Sequence, residues 1–235
     1  MSGCGIVDPD SDPPRKTYKN RRAKHGESYE PTIHEHYANT FSHAIGIIPT
    51  VLVFQNYMLA EAYRELQYRL MLVYGIFTTT LFLCSTLYHS CELLYRPVNQ
   101  AAIYLFIAAS YTPWLTLRHP GLNLKWIIWV MAILGILYQY NFHEKYKTLE
   151  TVLYVFIAGA PSIAIFYMED KSGLEWMIIG GIMYAIGVVF FKLDGTMAFA
   201  HAVWHLFVLV GASCHTYAVY ANLLGPDRFN PLPKD

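Results

Sequence analysis

Charge is what this chain has least of. Of its 235 residues only 14% are Asp, Glu, Lys or Arg, against roughly 25% in an ordinary soluble domain. The 17 basic and 17 acidic residues cancel, which removes the electrostatic case for a nucleic-acid partner. Cysteine is sparse too: Cys4, Cys84, Cys91 and Cys214, with no C-x-x-C pair. Three of the four lie in or beside apolar stretches, where a thiol behaves as a small hydrophobe, so no disulfide framework is expected. The opening "MSGCGIVDPDSDPP" lacks the basic-then-apolar layout of a signal peptide, and Ser2 does not fit N-myristoylation. No N-x-S/T sequon occurs.

Apolarity is what remains, at 54% of the chain. From Ser42 onward seven apolar segments follow one another, at about 42–60, 69–90, 98–117, 125–142, 151–168, 174–191 and 199–220. Each is close to the ~20 residues that cross a hydrocarbon core. Short polar punctuation separates them, including "EAYRELQYR", "RHPGLNLK" and "KLDG". The third segment is the weakest, because its apolar run begins only at Ala101; Pro97 suits its first helical position. Trp114, Trp126, Trp129, Tyr138, Tyr140 and Trp176 gather near segment ends, as interface anchors do. Glycines 180, 181, 187 and 211 fall within segments, where close helix packing is expected of them, and Pro49, Pro113 and Pro161 are expected to kink their helices.

The pattern predicts an all-α membrane protein: a seven-transmembrane helix bundle over 33–222, a disordered basic tail over 1–32 and a short C-terminal tail over 223–235. The tail segment "RKTYKNRRAKH" carries six Lys or Arg in eleven residues, a pattern suited to anionic lipids of the cytoplasmic leaflet. With the N-terminus inside, the cytoplasmic side holds ten basic residues and the other side seven, which favours a cytoplasmic N-terminus.

Polar groups inside such segments are costly and mark function. "HAVWHLF" places His201 and His205 four residues apart, on one helix face at the start of the seventh segment. "CSTLYHS" does the same with Ser85 and His89 at the end of the second. An even number of crossings separates these two places, so His89, His201 and His205 lie at one membrane face. Two readings stand for them: hydrogen-bonded histidines near helix ends, or three imidazoles converging on zinc with an open fourth position. The cost of intramembrane polar groups favours metal. Residue 202 is Ala, so the H-E-x-x-H pattern with its general base is absent. In "EHYANTFSH", Glu35, Asn39 and His43 recur at helical spacing, and a hydrogen-bonding role is expected for His43. His25, His34, His36, His119 and His143 fall in flanks or loops and are expected to be solvated, and His215 to lie away from the cluster.

Taken in order, "EHYANTFSH", "STLYHS", "AAIYLFIAASYTPWL", "FFKLDG" and "HAVWHLFV" resemble the progestin and adipoQ receptor family, which includes bacterial haemolysin III proteins. Within it, "FIAASYTPWL", "HEKYK" and "GVVFFKLDG" look closest to the monocyte-to-macrophage differentiation factor branch. The resemblance implies seven helices with a cytoplasmic N-terminus and a zinc ion (Zn2+) near the cytoplasmic face. The family's S-x-x-x-H maps onto Ser85 and His89, and its H-x-x-x-H onto His201 and His205. Similarity to alkaline ceramidases implies zinc-dependent attack on a lipid amide; other members imply a receptor for a lipid or hormone ligand.

One position departs from the pattern. Where the family carries an Asp that holds the zinc-bound water, this chain has Asn99, after a connection shorter than the family's usual loop. Asn can orient a water but cannot take its proton near neutral pH. The expectation is therefore a receptor or signalling scaffold with a zinc site at His89, His201 and His205. The alternative is a zinc-dependent lipid amide hydrolase with Ser85 and Asn99 as catalytic candidates, Ser85 beside the metal or touching the oxyanion. Membrane disruption of the haemolysin kind lacks the ring of charge that would line a pore.

Overall fold

The computed structural model describes residues 18–24, 29–91, 96–118, 123–142, 147–167 and 170–224. Among these there is no strand, and seven α-helices follow in chain order: α1 Ile33–Val53, α2 Glu65–Cys91, α3 Arg96–Leu117, α4 Leu124–Phe142, α5 Lys147–Gly159, α6 Leu174–Lys192 and α7 Ala200–Leu223. α1 continues into a π-helical turn, Phe54–Met58, and α5 into a 3-10 stretch, Ala160–Tyr167. Five helices, α1 with its π turn, α2, α4, α6 and α7, are long and apolar enough to cross a membrane. α3 has the length, but its first turns carry Arg96, Asn99 and Gln100, while α5 has only 13 residues. The chain is an integral, multi-pass membrane protein.

Helix ends are set by local chemistry rather than by where apolarity begins. α1 starts nine residues before the apolar run at Ser42 because Thr32 and Glu35 form a capping box. The Glu35 amide donates to Thr32 Oγ1 at 3.3 Å, and the Thr32 amide donates to Glu35 Oε2 at 2.9 Å. Pro49 and Pro113 are accommodated inside α1 and α3. Pro161 acts differently: α5 stops at Gly159 and tightens to a 3-10 helix instead of continuing past a kink. A proline there would clash with the carbonyl four residues back, at Ile157.

α2 lies between α1 and α3, α4 packs on α3, and α7 packs along α6 while touching α1 and α3. One apolar core joins Met71, Tyr74 and Phe82 of α2 to Phe106 of α3 and to Val208 and Ala212 of α7. A smaller one joins Tyr104 of α3 to Ile128 and Ala132 of α4 and Ile157 of α5. The α6 side chains Ile178, Ile179, Ile182, Ile186 and Val189 point outward, as a lipid-facing surface requires.

Lipid gives helices little hydrophobic reason to associate, so close backbone approach matters. A Cβ added at Gly180 would strike the His215 ring and lie 3.0 Å from the Gly211 carbonyl; one at Gly211 would lie 2.7 Å from the Tyr184 ring. The packing role expected of Gly181 does not hold, because nothing lies within 4 Å of its Cβ position.

The end of the bundle away from the three histidines is fastened by polar side chains. Arg118 Nη1 meets Asp170 Oδ2 at 2.8 Å, with both side chains largely buried. Arg118 Nη2 donates to the Asn222 carbonyl at 2.6 Å, and Gln67 Nε2 donates to the Leu223 carbonyl at 2.9 Å. The last carbonyls of α7, which have no partner within the helix, are thus met from α2 and from the end of α3.

At the opposite end, residues 18–24 form no helix or strand but lie against the α6–α7 connection. Lys19 Nζ donates to the Gly195 carbonyl at 3.4 Å, and the Tyr18 ring packs on Phe199 and His34. A Cβ at Gly195, whose φ is +72°, would lie 2.8 Å from the Arg22 Cα. The rest of the expected disordered tail, residues 1–17 and 25–28, lies outside the described residues, as does 225–235 of the C-terminal tail.

Candidate metal centre

Three histidines from two helices meet at one end of the bundle. One ring nitrogen from each of His89, His201 and His205 lies within 4.8 Å of the others. Ring centroids stand 5.2 Å apart for His89 and His201, 5.3 Å for His89 and His205 and 4.7 Å for His201 and His205. α2 delivers His89 in its last turn, and α7 delivers the other two one turn apart near its start. His89 and His205 are buried and His201 is partly so.

Hydrogen bonds of His201 and His205 fix which of their nitrogens is left for a ligand. Ser42 Oγ donates its proton to the Asn39 carbonyl at 2.9 Å, so its lone pairs face His205 Nδ1 at 2.9 Å. The Asn39 carbonyl lies 3.2 Å from the same Nδ1. With two acceptors in front of it, Nδ1 carries the proton, and Nε2 keeps its lone pair. His201 Nδ1 faces Asp194 Oδ2 at 2.9 Å, and a carboxylate accepts only, so the same tautomer follows. Holding Nδ1–H on a carboxylate or carbonyl is how proteins orient metal-binding imidazoles and raise their basicity. His201 and His205 are held in this way, and with His89 they make three imidazoles, which suit zinc by ligand type and number. The residues present therefore fit the ion.

The structure adds residues that the spacing alone did not single out. Asp194, in the quoted "FFKLDG", is the charged partner of His201; Ser42 and the Asn39 carbonyl serve His205. His43 departs from its expected hydrogen-bonding role. Its ring stacks on His205 at 3.6 Å between centroids and is met edge-on by Phe82 at 5.2 Å, while neither of its nitrogens has a hydrogen-bond partner among the described residues. His36 is not a solvated flank residue: it is half-buried on α1, with its ring 5.8 Å from that of His89. His34 is exposed as expected, and His215 donates from Nε2 to the Met177 carbonyl across α6 and α7, away from the cluster. His25, His119 and His143 lie outside the described residues.

Ser85 stands one turn before His89 on α2, buried, its Oγ without a hydrogen-bond partner among the described residues. Asn99 stands in the first turn of α3, half-buried, its Oδ1 likewise without a partner, and no described hydrogen bond joins it to the histidines.

Residues 31–216 match the family described as haemolysin-III related. The chain is 36% identical over 221 residues to the monocyte to macrophage differentiation factor of Homo sapiens, covering 88% of this chain and 92% of that one. It is 34% identical over 208 residues to hemolysin-3 of Bacillus cereus, covering 82% and 93% of the two chains. A hemolysin-3 homolog of Bacillus subtilis is 30% identical over 201 residues. A match spanning every described helix but the last turns of α7, with relatives of this identity and coverage, means that the chain belongs to the haemolysin III and progestin and adipoQ receptor family.

Proposed function

We propose that this chain is a seven-span membrane receptor or signalling scaffold with a cytoplasmic N-terminus, in which zinc held by His89, His201 and His205 clamps α2 to α7 near the cytoplasmic face. The observation that carries this reading is the composition of the cluster. It unites two helices through three imidazoles, and among the described residues no carboxylate joins it as a fourth group. Asp194 faces the back of His201, where it orients the ring and offsets cationic charge. Asn99, at the position where a proton acceptor would serve hydrolysis, is neutral. The bilayer is the first partner. Arg21 and Arg22, exposed on the segment laid against the α6–α7 connection, support anionic lipid headgroups as a second, and a lipid or hormone is the class of ligand such a receptor would take.

A second reading, a zinc-dependent lipid amide hydrolase, is favoured by one feature: three protein ligands leave the fourth zinc position open. Bound there, zinc would supply Lewis acidity and a water of lowered pKa. The chain's own contribution would be the buried Ser85 Oγ beside the site. The two readings separate cleanly. Purified protein is expected to carry near-stoichiometric zinc that is lost in His205→Ala, and to leave a fluorescent ceramide intact. Hydrolysis that disappears in both Ser85→Ala and His205→Ala, with zinc retained in Ser85→Ala, would replace the scaffold reading with the hydrolase.

A further inference from the structure

Glu35 is the most deeply buried acidic group described, at 3% exposure, and no Lys or Arg among the described residues pairs with it. A carboxylate taken out of water needs its lost hydration replaced. Here its two oxygens work on different helices. Oε2 accepts from the Thr32 amide at 2.9 Å, Thr32 Oγ1 at 3.2 Å and the Tyr29 hydroxyl at 2.8 Å, all at the start of α1. Oε1 accepts from the Phe199 amide at 3.3 Å, at the start of α7. Two helix N-termini, each the positive end of its dipole, converge on one anion.

The α7 side of this arrangement needs outside help. Phe199 is the N-cap, yet its side chain cannot cap, and no side-chain hydrogen bond is made at that position. It also holds φ at +60°, the only non-glycine positive φ among the described residues. Such a conformation is strained for a residue with a side chain and persists only where the surroundings over-determine it. Two residues further on stands His201, and five residues back stands Asp194, its partner.

We infer that Glu35 is a positioning residue for the metal-bearing helix, a single carboxylate that caps α1 and α7 together and so fixes where His201 meets Asp194. The inference rests on the zinc reading for its consequence, since what Glu35 positions is a ligand. Tyr29 extends the link to the N-terminal segment. Burial and then the neighbouring Glu35 push its phenol up to about 12, so it remains a donor to Glu35 at neutral pH. Its oxygen also accepts from the Asn20 amide at 3.0 Å. The basic segment, the start of α1 and the start of α7 thereby share one polar node.

The competing account is that Glu35 merely caps α1. Thr32→Ala weakens that cap and leaves the Phe199 bond in place; Glu35→Ala weakens the same cap, keeping its backbone amide on Thr32 Oγ1, and removes the Phe199 bond; Glu35→Asp keeps the charge but withdraws it by one methylene. Hydrogen exchange of the peptide covering 194–206, measured on metal-free protein in nanodiscs, reads the hold on α7 directly. Zinc release to a chromophoric chelator reads its consequence. Glu35→Ala and Glu35→Asp are expected to raise exchange over 194–206 and to speed zinc release about tenfold, the scale of losing an outer partner of a metal ligand. Thr32→Ala is expected to leave both within twofold. Exchange over 194–206 that is the same in Thr32→Ala as in the Glu35 variants would overturn the inference. If Glu35→Ala fails to fold, Glu35→Asp carries the comparison. A wild-type protein that binds no zinc would sink the metal reading, and the exchange data would still decide what Glu35 holds.

Discussion

Asp194→Asn is the sharpest single test of the site, because it removes a charge and almost nothing else. The Asp194 carboxylate lies 2.9 Å from His201 Nδ1, with both side chains about one-fifth exposed. Asn presents an Oδ1 of the same reach, so the Nδ1–H tautomer and the ring orientation survive while the negative charge behind the imidazole goes. Asp194→Ala removes the acceptor as well. Loss of an outer partner of a metal-binding histidine costs roughly 10- to 100-fold in affinity. Asp194→Asn is therefore placed near the tenfold end, about 1.4 kcal/mol, and Asp194→Ala toward 100-fold, about 2.7 kcal/mol. Competition between protein in nanodiscs and a zinc-binding dye of known affinity measures both, with His205→Ala as the baseline for a destroyed site. If both Asp194 variants bind zinc within twofold of wild type while His205→Ala does not, Asp194 is an ordinary interfacial ion-pair partner and the reasoning built on His201 fails.

Other substitutions probe parts of the structure that the zinc assay does not reach. Ser42→Ala removes one of two acceptors facing His205 Nδ1 and leaves the Asn39 carbonyl at 3.2 Å; a loss of zinc affinity below about tenfold is expected in the same dye competition. Gly180→Ala drives a methyl into the α7 backbone and the His215 ring, and a destabilisation of about 1–3 kcal/mol is expected from unfolding in mixed micelles. Gly181→Ala, one position away, meets nothing and should be neutral or slightly stabilising, since Ala is the better helix former by about 1 kcal/mol; equal losses at both sites would refute the packing account. Arg118→Met takes the cation from the largely buried Asp170, which keeps its hydrogen bonds from Ser172, and should cost up to about 3 kcal/mol. Arg69→Met breaks the exposed pair with Glu65 and should leave the melting temperature unmoved.

Much of this was legible in the sequence, for reasons that also explain what was not. Segment positions came from hydropathy, and each of the seven has its helix, five of them long and apolar enough to cross a membrane. Counting segments put His89, His201 and His205 on one side of the membrane and no more; that their rings come together is a matter of side-chain direction, which parity does not carry. Apolarity misjudged the start of α1, since Thr32 and Glu35 build polar turns before the oily run begins; the T-x-x-E spacing was the available signal. Asp194 was harder to find. It acts on His201 from across a turn that Asp194-Gly195 announces, but the path of that turn, with Phe199 at positive φ, is what brings the carboxylate to the ring, and that path has no sequence signature. His43 matched the helical spacing of Glu35 and Asn39, yet spacing cannot tell a ring that stacks from one that bonds.

α7 is fastened at both ends by side chains that belong to other helices. Glu35 holds the Phe199 amide at one end, and Gln67 and Arg118 hold the Leu223 and Asn222 carbonyls at the other. A rod of 24 residues, about 36 Å long, pinned this way resists sliding along its own axis, because a shift of even one residue breaks the bonds at both ends together. Piston-like motion of this helix is thus a poor means of carrying a message across the bilayer. Rocking or rotation about the two fixed ends remains open to it, and the middle of the helix, where Gly211 lets α6 come close, is where such motion would be felt most.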